Sequence, residues 1–115
     1  RADIRIKVDG QAAADHLSRG QTKLLVYALK LAQASHYREH TGESCLFLLD
    51  DLPAELDYQH RGQVISYLND LGCQYFITGV DKKDFEDLVQ TVPHQMFHME
   101  HGAASIDETT GIESL

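Results

Sequence analysis

The longest helical pattern in the chain follows Ser18. Ser18 and Gln21 have the spacing of a capping box, in which the serine oxygen accepts a backbone N–H of the first turn and the glutamine reaches back to the cap. Apolar residues then recur at helical spacing until Thr41 and Gly42, where a glycine can end a helix. We therefore predict a helix over about residues 18–40. Its apolar face comprises Leu24, Leu25, Ala28, Leu29 and Ala32, and it leaves Lys23, Tyr27 and Lys30 nearer solvent.

Two apolar runs have the composition of buried strands, and a second helical pattern separates them. The runs span residues 44–49 and residues 73–78. Asp57 is placed to cap the intervening helix, which ends at Gly72. Because a proline follows the first run, we expect residues 52–56 to form a loop. Strand, helix and strand in this order predict parallel strands joined by a right-handed crossover. The helix positions that the pattern buries are Val64, Ile65, Leu68 and Leu71.

Shorter patterns occupy the two ends of the chain. Residues 3–8 alternate polar and apolar side chains, which predicts a half-buried strand that ends in a turn at Asp9 and Gly10. Residues 107–115 contain few apolar side chains, and we expect them to form a flexible tail.

Between the second apolar run and that tail, we predict a short helix and a hairpin. Asp81 can cap a helix that continues to about residue 89, before Pro93. Residues 95–100 and 103–106 have the pattern of two edge strands joined by a tight turn at His101 and Gly102.

Composition limits the kinds of partner that this chain can bind by charge. With 115 residues and 43% hydrophobic content, it can form one modest domain. Its net charge of −8 gives no general attraction for nucleic acid, whose binding depends on Lys and Arg. No apolar run is long enough to span a membrane. Cys45 and Cys73 both lie in the apolar runs, where we expect reduced thiols, as in a cytoplasmic protein.

Two short segments carry candidate chemistry. Gly20 has no Cβ, so a phosphate could approach the backbone N–H groups of the first helical turn. Asp50 and Asp51 end the first apolar run, and two carboxylates there are costly unless they lie at the solvent-facing carboxyl edge of a parallel sheet, where ligands of open α/β folds bind. Taken separately, the first segment could be only a capped surface helix and the second only a strand end that faces water.

Taken together, three segments resemble the head of an ABC-type ATPase. LSRGQ at residues 17–21 resembles the signature loop, LFLLDD at residues 46–51 the Walker B strand, and PAELD at residues 53–57 the D-loop. The residues of these segments are most similar to those of the RecF recombination mediators, which are related to the chromosome-maintenance ATPases. The resemblance extends from Arg1 to about Ile106. It implies an α/β fold that is half of a P-loop NTPase head, with a mainly parallel sheet flanked by helices and a small terminal β-hairpin.

The resemblance also implies a nucleotide site shared between two subunits. Residues 1–106 would be the carboxy-terminal part of a head, because the chain contains no G-x-x-x-x-G-K-[ST] phosphate loop. We therefore expect a fragment of a longer protein that has no activity by itself. In the family, the signature loop closes on ATP held by a second subunit, so two heads enclose two ATP molecules. The residues that match these contacts are Ser18, Arg19, Gly20 and Gln21 of the signature and Asp57 of the D-loop. Asp57 could equally be a plain helix cap, and both roles can hold together.

By the same resemblance, Asp50 takes the Mg²⁺ role and Asp51 polarises the attacking water. The family usually has Glu where Asp51 stands, and the shorter side chain suggests slow hydrolysis. Such heads often place a His after the next strand, to contact the γ-phosphate. Here Thr78 follows that strand and could supply a weaker hydrogen bond. These features favour a nucleotide-gated dimer over a strong ATPase.

The function that the resemblance implies is DNA replication and repair. The full-length protein would be a weak DNA-dependent ATPase that binds ATP and DNA and dimerises on ATP. The dimer would clamp DNA at single-strand gaps and support recombinase loading with partners such as RecR and RecO, with any DNA contact made mainly outside this acidic chain. Two alternatives stay open. One is a receiver-like phosphoacceptor module, because an acidic pair and a later threonine end neighbouring strands; the other is a structural lobe without activity.

Overall fold

A computed structural model describes residues 3–86 and 92–107. The chain divides into two compact units, Arg1–Val80 and Asp81–Leu115. The first unit contains the hairpin strands β1 (Lys7–Val8) and β2 (Gln11–Ala12) and the helices α1 (Ala13–His16) and α2 (Arg19–Thr41), followed by β3 (Phe47–Leu49), α3 (Leu52–Glu55), α4 (Tyr58–Leu71) and β4 (Tyr75–Ile77). The second contains a 3₁₀ helix (Lys82–Phe85) and the strands β5 (Phe97–Glu100) and β6 (Ala103–Ile106).

Helix α2 begins and ends where the sequence predicts. The Gln21 amide donates to Ser18 Oγ at 3.2 Å, and the Ser18 amide donates to Gln21 Oε1 at 2.9 Å, so the capping box is complete. At the other end, Gly42 adopts the left-handed conformation with φ 74°, and its amide bonds to the Arg38 carbonyl at 2.8 Å. Both ends therefore satisfy backbone groups that an uncapped helix would leave to water.

The buried stripe of α2 differs from the predicted one. Leu31 and Ala34 are its buried residues, whereas Leu24 and Leu25 are only partly buried. The predicted face is wrong at three positions, which are exposed: Ala28, Leu29 and Ala32. The expected solvent positions Lys23 and Tyr27 are instead partly buried, because this side of the helix lies towards α3.

Strands β3 and β4 pair in parallel, as the strand–helix–strand pattern predicts. Leu48 lies opposite Phe76, and helices α3 and α4 form the connection between the strands. Both strands are shorter than the apolar runs that predicted them. The expectation of two buried strands holds only in part: Leu49 is buried, but Leu48 is 74% exposed and Phe76 is also exposed. Among the described residues this parallel sheet has two strands.

Helix α4 and the segment before it supply five of the ten buried apolar residues in the described part of the chain. Val64, Ile65 and Leu68 are buried as predicted, and Gly72 ends the helix in the left-handed conformation with φ 66°. Residues 52–56 are not the predicted loop, because Leu52–Glu55 forms the short helix α3. Its proline occupies the first turn, where a missing N–H costs no intrahelical bond. The buried apolar residues are Ala13, Leu31, Ala34, Leu49, Leu52, Leu56, Val64, Ile65, Leu68 and Cys73.

The predicted strand over residues 3–8 is mostly wrong. Only Lys7–Val8 is a strand, and it pairs with Gln11–Ala12 across the turn expected at Asp9 and Gly10. Ile4 is 88% exposed and Ile6 is exposed as well, because alternation favours a buried face only when another element covers it.

In the second unit the predicted hairpin is confirmed. Phe97 pairs with Ile106 in antiparallel register, and His101 and Gly102 form the turn with φ of 49° and 76°. Asp81 caps the 3₁₀ helix by accepting from the Lys83 amide at 3.0 Å, and the part of the predicted helix from residue 87 onwards lies outside the described residues.

The predicted tail over residues 107–115 starts at an ordered residue. The Asp107 carboxylate pairs with Lys82 at 2.7 Å, and its amide bonds to the Met96 carbonyl at 2.8 Å. The residues that follow lie outside the described part of the chain.

Candidate functional site

The ends of β3 and β4 bring together three of the residues that the sequence singles out. Thr78 Oγ1 donates a hydrogen bond to Asp50 Oδ1 at 2.6 Å, and the Asp51 amide donates to Thr78 Oγ1 at 2.9 Å. The Thr78 amide donates to the Leu49 carbonyl at 3.1 Å, which extends the parallel ladder by one bond. Because parallel strands end at the same edge, the twin carboxylates and the threonine share that edge. All three polar residues are exposed.

Asp51 has an unusual backbone conformation. Its φ of 52° and ψ of 40° are left-handed, a region that costs most residues with a Cβ about 1–2 kcal/mol and that Asp tolerates better than most. Asp51 is the N-cap of α3, yet its side chain makes no capping hydrogen bond. The carboxylate is therefore held at the strand edge without serving the helix that follows it.

The donor set at this edge fits Mg²⁺ bound together with a nucleotide. Mg²⁺ is usually held by one or two carboxylates plus phosphates and water, rather than by a cage of protein ligands. Asp50 has one oxygen bonded to Thr78, and its other oxygen, Oδ2, has no hydrogen-bond partner among the described residues. Within the described ranges no cluster of three or more His, Cys, Asp or Glu side chains could hold a metal by itself. Asp50 could thus hold Mg²⁺ where phosphate oxygens and water complete the coordination.

The predicted signature residues lie at the exposed start of α2. Ser18, Arg19, Gly20 and Gln21 are all exposed. The Gln21 amide is taken by the cap, whereas the amides of Arg19 and Gly20 have no acceptor among residues 3–86 and 92–107. A Cβ built on Gly20 would meet no atom within 4 Å, and its φ is not left-handed. The fold therefore leaves two backbone donors and open space at this end of the helix, where the helix dipole favours an anion.

An ion pair between α2 and α3 was not predicted from the sequence. Lys23 Nζ lies 3.0 Å from Glu55 Oε2, so α2 is paired with the end of α3. Burial raises the pKa of Tyr27 above its usual value, and the negative charges of Glu55 and Asp50 raise it further. The spacing of Lys23 and Tyr27, four residues apart, places both on one helix face and was the signal that could have revealed this link.

Asp57 is a helix cap, as one of its two predicted roles requires. Its Oδ1 accepts from the His60 amide at 2.9 Å and lies 2.8 Å from His60 Nδ1. Its side chain remains largely exposed, so the cap does not occupy the whole carboxylate. No hydrogen bond or ion pair joins Ser18–Gln21 to Asp50 or Asp51 within the part of the first unit that is described.

Comparison with known proteins gives this arrangement a family. Residues 6–105 match the family model described as the RecF/RecN/SMC N terminal domain. The chain is 49% identical over 115 residues to the DNA replication and repair protein RecF of Pseudomonas aeruginosa, covering 99% of this chain and 31% of the relative. It is also similar to RecF proteins of Cellvibrio japonicus, with 49% identity over 91% of the chain and 30% of the relative, and of Shewanella oneidensis, with 43% over 94% and 30%.

These matches cover most of the chain but less than a third of each relative. No solved structure matches the chain. None of the helices described here is both long and apolar enough to cross a membrane. Since the family model matches 100 of the 115 residues, from residue 6 to residue 105, the chain belongs to the RecF/RecN/SMC family.

Proposed function

We propose that the protein to which this chain belongs is an ATP-gated DNA replication and repair factor. ATP held by one copy is enclosed by the signature residues of a second copy, so nucleotide binding drives dimerisation. Hydrolysis, which the short Asp51 side chain makes slow, then resets the dimer. The RecF relatives carry DNA replication and repair in their names, and the family match favours an ATPase head over a receiver module.

The observation that carries this proposal is the exposed first turn of α2. Glycine is a poor helix residue, yet Gly20 has neither a left-handed φ nor a neighbour that a Cβ would touch. The free amides of Arg19 and Gly20, together with the missing Cβ of Gly20, leave room for a phosphate to approach this turn. The capping box fixes this turn, so the donors are held in place before the nucleotide arrives.

Asp50, Asp51 and Thr78 would act on the nucleotide of their own subunit. Mg²⁺, when bound with ATP, supplies the positive charge that offsets the phosphates. Asp50 would bind that cation through the oxygen that Thr78 leaves free, because its other oxygen is bonded to Thr78. Asp51, whose carboxylate the helix cap leaves free, accepts a hydrogen bond from the attacking water and orients it.

DNA binding and loading partners belong to the longer protein in this proposal. The chain has a net charge of −8, so a duplex would be held mainly by surfaces outside it. By resemblance, the dimer clamps DNA at single-strand gaps and supports recombinase loading together with RecR- and RecO-like proteins. The role of this chain is then to couple ATP to closure of the clamp.

Replacing Ser18 with Arg in the full-length protein tests the proposal. A long cation at the cap blocks the approach of the partner's ATP, so ATP-dependent dimerisation is lost while ATP binding by the monomer is unchanged. Sedimentation velocity with and without ATP measures the first property, and binding of a fluorescent ATP analogue measures the second.

Ser66→Arg is the matched control, because Ser66 is an exposed serine of α4 and belongs to neither the signature nor the acidic edge. The control should dimerise like the unmodified protein. ATP-dependent dimerisation that survives in Ser18→Arg would show that the first turn of α2 does not face a nucleotide.

A further inference from the structure

We infer that Thr78 is a positioning residue for the two aspartates and does not contact the γ-phosphate. Its hydroxyl fixes the Asp50 carboxylate and the left-handed backbone of Asp51 at the same time. This inference rests on the proposed function, because it concerns how the acidic edge is arranged for a nucleotide.

The first step concerns the single proton of the hydroxyl. A threonine hydroxyl has one O–H to donate and two lone pairs that can accept. At 2.6 Å from Asp50 Oδ1, Thr78 gives that proton to a carboxylate, which makes a short, charge-assisted bond. Phosphate oxygens next to bound ATP are acceptors. Thr78 therefore has no proton left for the γ-phosphate while its bond to Asp50 holds, and the expected weaker γ-phosphate contact is replaced by a contact with the acid.

The second step concerns the lone pair that accepts from Asp51. The Asp51 amide donates to Thr78 Oγ1 at 2.9 Å, which ties a residue with φ of 52° to the neighbouring strand. A left-handed aspartate that its own side chain does not stabilise relies on such outside contacts. The Thr78 hydroxyl, one residue beyond β4, thus fixes the carboxylate of Asp50 and the backbone of Asp51.

The third step is that Thr78 can be replaced without leaving the groups it bonds both buried and unpaired. Thr78, Asp50 and Asp51 are all exposed, so losing the hydroxyl lets water hydrate the freed groups. Thr78→Val keeps the branched shape and removes only the hydrogen bonds. Thr78→Ser keeps the hydroxyl and should restore whatever Val removes.

A matched control exists in the same unit. Thr41 Oγ1 donates to the Tyr37 carbonyl at 2.8 Å and accepts from the Glu43 amide at 3.1 Å, the same combination of one donated and one accepted bond. Thr41 lies at the end of α2 and is exposed. Thr41→Val therefore deletes one donated and one accepted hydrogen bond that involve neither Asp50 nor Asp51.

Two measurements on the full-length protein test the inference. The first is amide hydrogen exchange without nucleotide: in Thr78→Val the Asp51 amide should exchange roughly two- to tenfold faster, as expected for one lost hydrogen bond. The second is the Mg²⁺ concentration for half-maximal ATP hydrolysis, which should rise about tenfold, a fold-change that corresponds to one charge-assisted hydrogen bond. The KM for ATP at saturating Mg²⁺ should stay unchanged. Thr78→Ser should behave like the unmodified protein, and Thr41→Val should speed exchange at Glu43 only.

Two contrary results would distinguish an error in the role of Thr78 from an error in the proposed function. If Thr78→Val raises the KM for ATP and leaves both the Asp51 amide and the Mg²⁺ requirement unchanged, Thr78 contacts the γ-phosphate and the inference is wrong. If Thr78→Val speeds Asp51 exchange but Asp50→Asn leaves Mg²⁺-dependent hydrolysis intact, the positioning contact is real and the function proposed for the acidic edge is wrong.

Discussion

Replacing Gly20 with alanine separates what the fold needs from what the proposed function needs. Gly20 is the second residue of α2, its φ is not left-handed, and an added Cβ would touch nothing within 4 Å. Gly62, the fifth residue of α4, shares the last two of these properties: its φ is not left-handed, and an added Cβ would touch nothing within 4 Å. Alanine at either position should therefore stabilise the chain by about 0.4–1 kcal/mol, because it restricts the unfolded chain and favours helix.

The two glycines should differ in ATP-dependent dimerisation. A methyl group on Gly20 stands where a phosphate must approach the amides of Arg19 and Gly20, so one charge-assisted hydrogen bond is lost. Such a bond contributes about 1.5–3 kcal/mol, which is roughly a 10- to 150-fold weaker dimer. Gly62→Ala adds the same methyl group away from the signature and should leave the dimer unchanged.

Urea unfolding followed by circular dichroism measures the first effect, and sedimentation with ATP measures the second. Both variants should show an equal or higher urea midpoint, and only Gly20→Ala should dimerise less. If Gly20→Ala dimerises as tightly as the unmodified protein, the first turn of α2 is a plain helix start. If Gly62→Ala weakens the dimer to the same degree, the effect comes from helix stability and says nothing about a phosphate.

Three further predictions concern the acidic edge and its link to α2. Asp51→Asn in the full-length protein should slow ATP hydrolysis and prolong the ATP-held dimer without lowering stability, since Asn also tolerates the left-handed region. Asp70→Asn, at an exposed site of α4, is the control. An unchanged dimer lifetime in Asp51→Asn would contradict the role proposed for Asp51. Lys23→Glu and Glu55→Lys should each lower the free energy of unfolding by urea by up to about 1 kcal/mol. The double variant with both changes should recover most of that loss. If the effects of the two single variants simply add, the 3.0 Å ion pair contributes nothing to stability. The raised pKa of Tyr27 implies a contribution to stability that is fully present below the ordinary tyrosine value of 10.0 and is lost as pH rises through the higher pKa of the folded state. Tyr27→Phe should therefore lose less stability than the unmodified protein between neutral and strongly alkaline pH. Identical profiles of unfolding free energy against pH would contradict this prediction.

Features fixed by neighbouring residues were predictable from the sequence. The capping box at Ser18, the glycine end at Gly72 and the hairpin turn at His101 and Gly102 each depend on a few consecutive side chains and their backbone preferences. Parallel pairing of β3 and β4 was predictable too, because a helix of that length between two apolar runs permits few other connections.

Burial and side-chain contacts were less predictable, since they depend on which element faces each residue. An apolar residue such as Leu48 shows only that burial would be favourable, and in the described fold no element covers it. Lys23 was expected nearer solvent from its position on the helix, but it is partly buried and its ammonium group lies 3.0 Å from Glu55 Oε2. The bonds from Thr78 could not be predicted either, because they depend on strand register at the level of single atoms.

The acidic edge is also distinguished by its backbone. Within the described residues, the non-glycine residues with positive φ are Asp9, Asp51 and His101. Asp9 and His101 each precede a glycine in a two-residue hairpin turn, where positive φ at both central positions matches the twist of the strands. Asp51 lies in no hairpin, and it does not cap α3 with its side chain. Turn geometry thus accounts for the positive φ of Asp9 and His101 but not for that of Asp51. Asp51 is also the residue proposed to orient the attacking water. A strained conformation is expected at such a position when function, rather than folding, selects it.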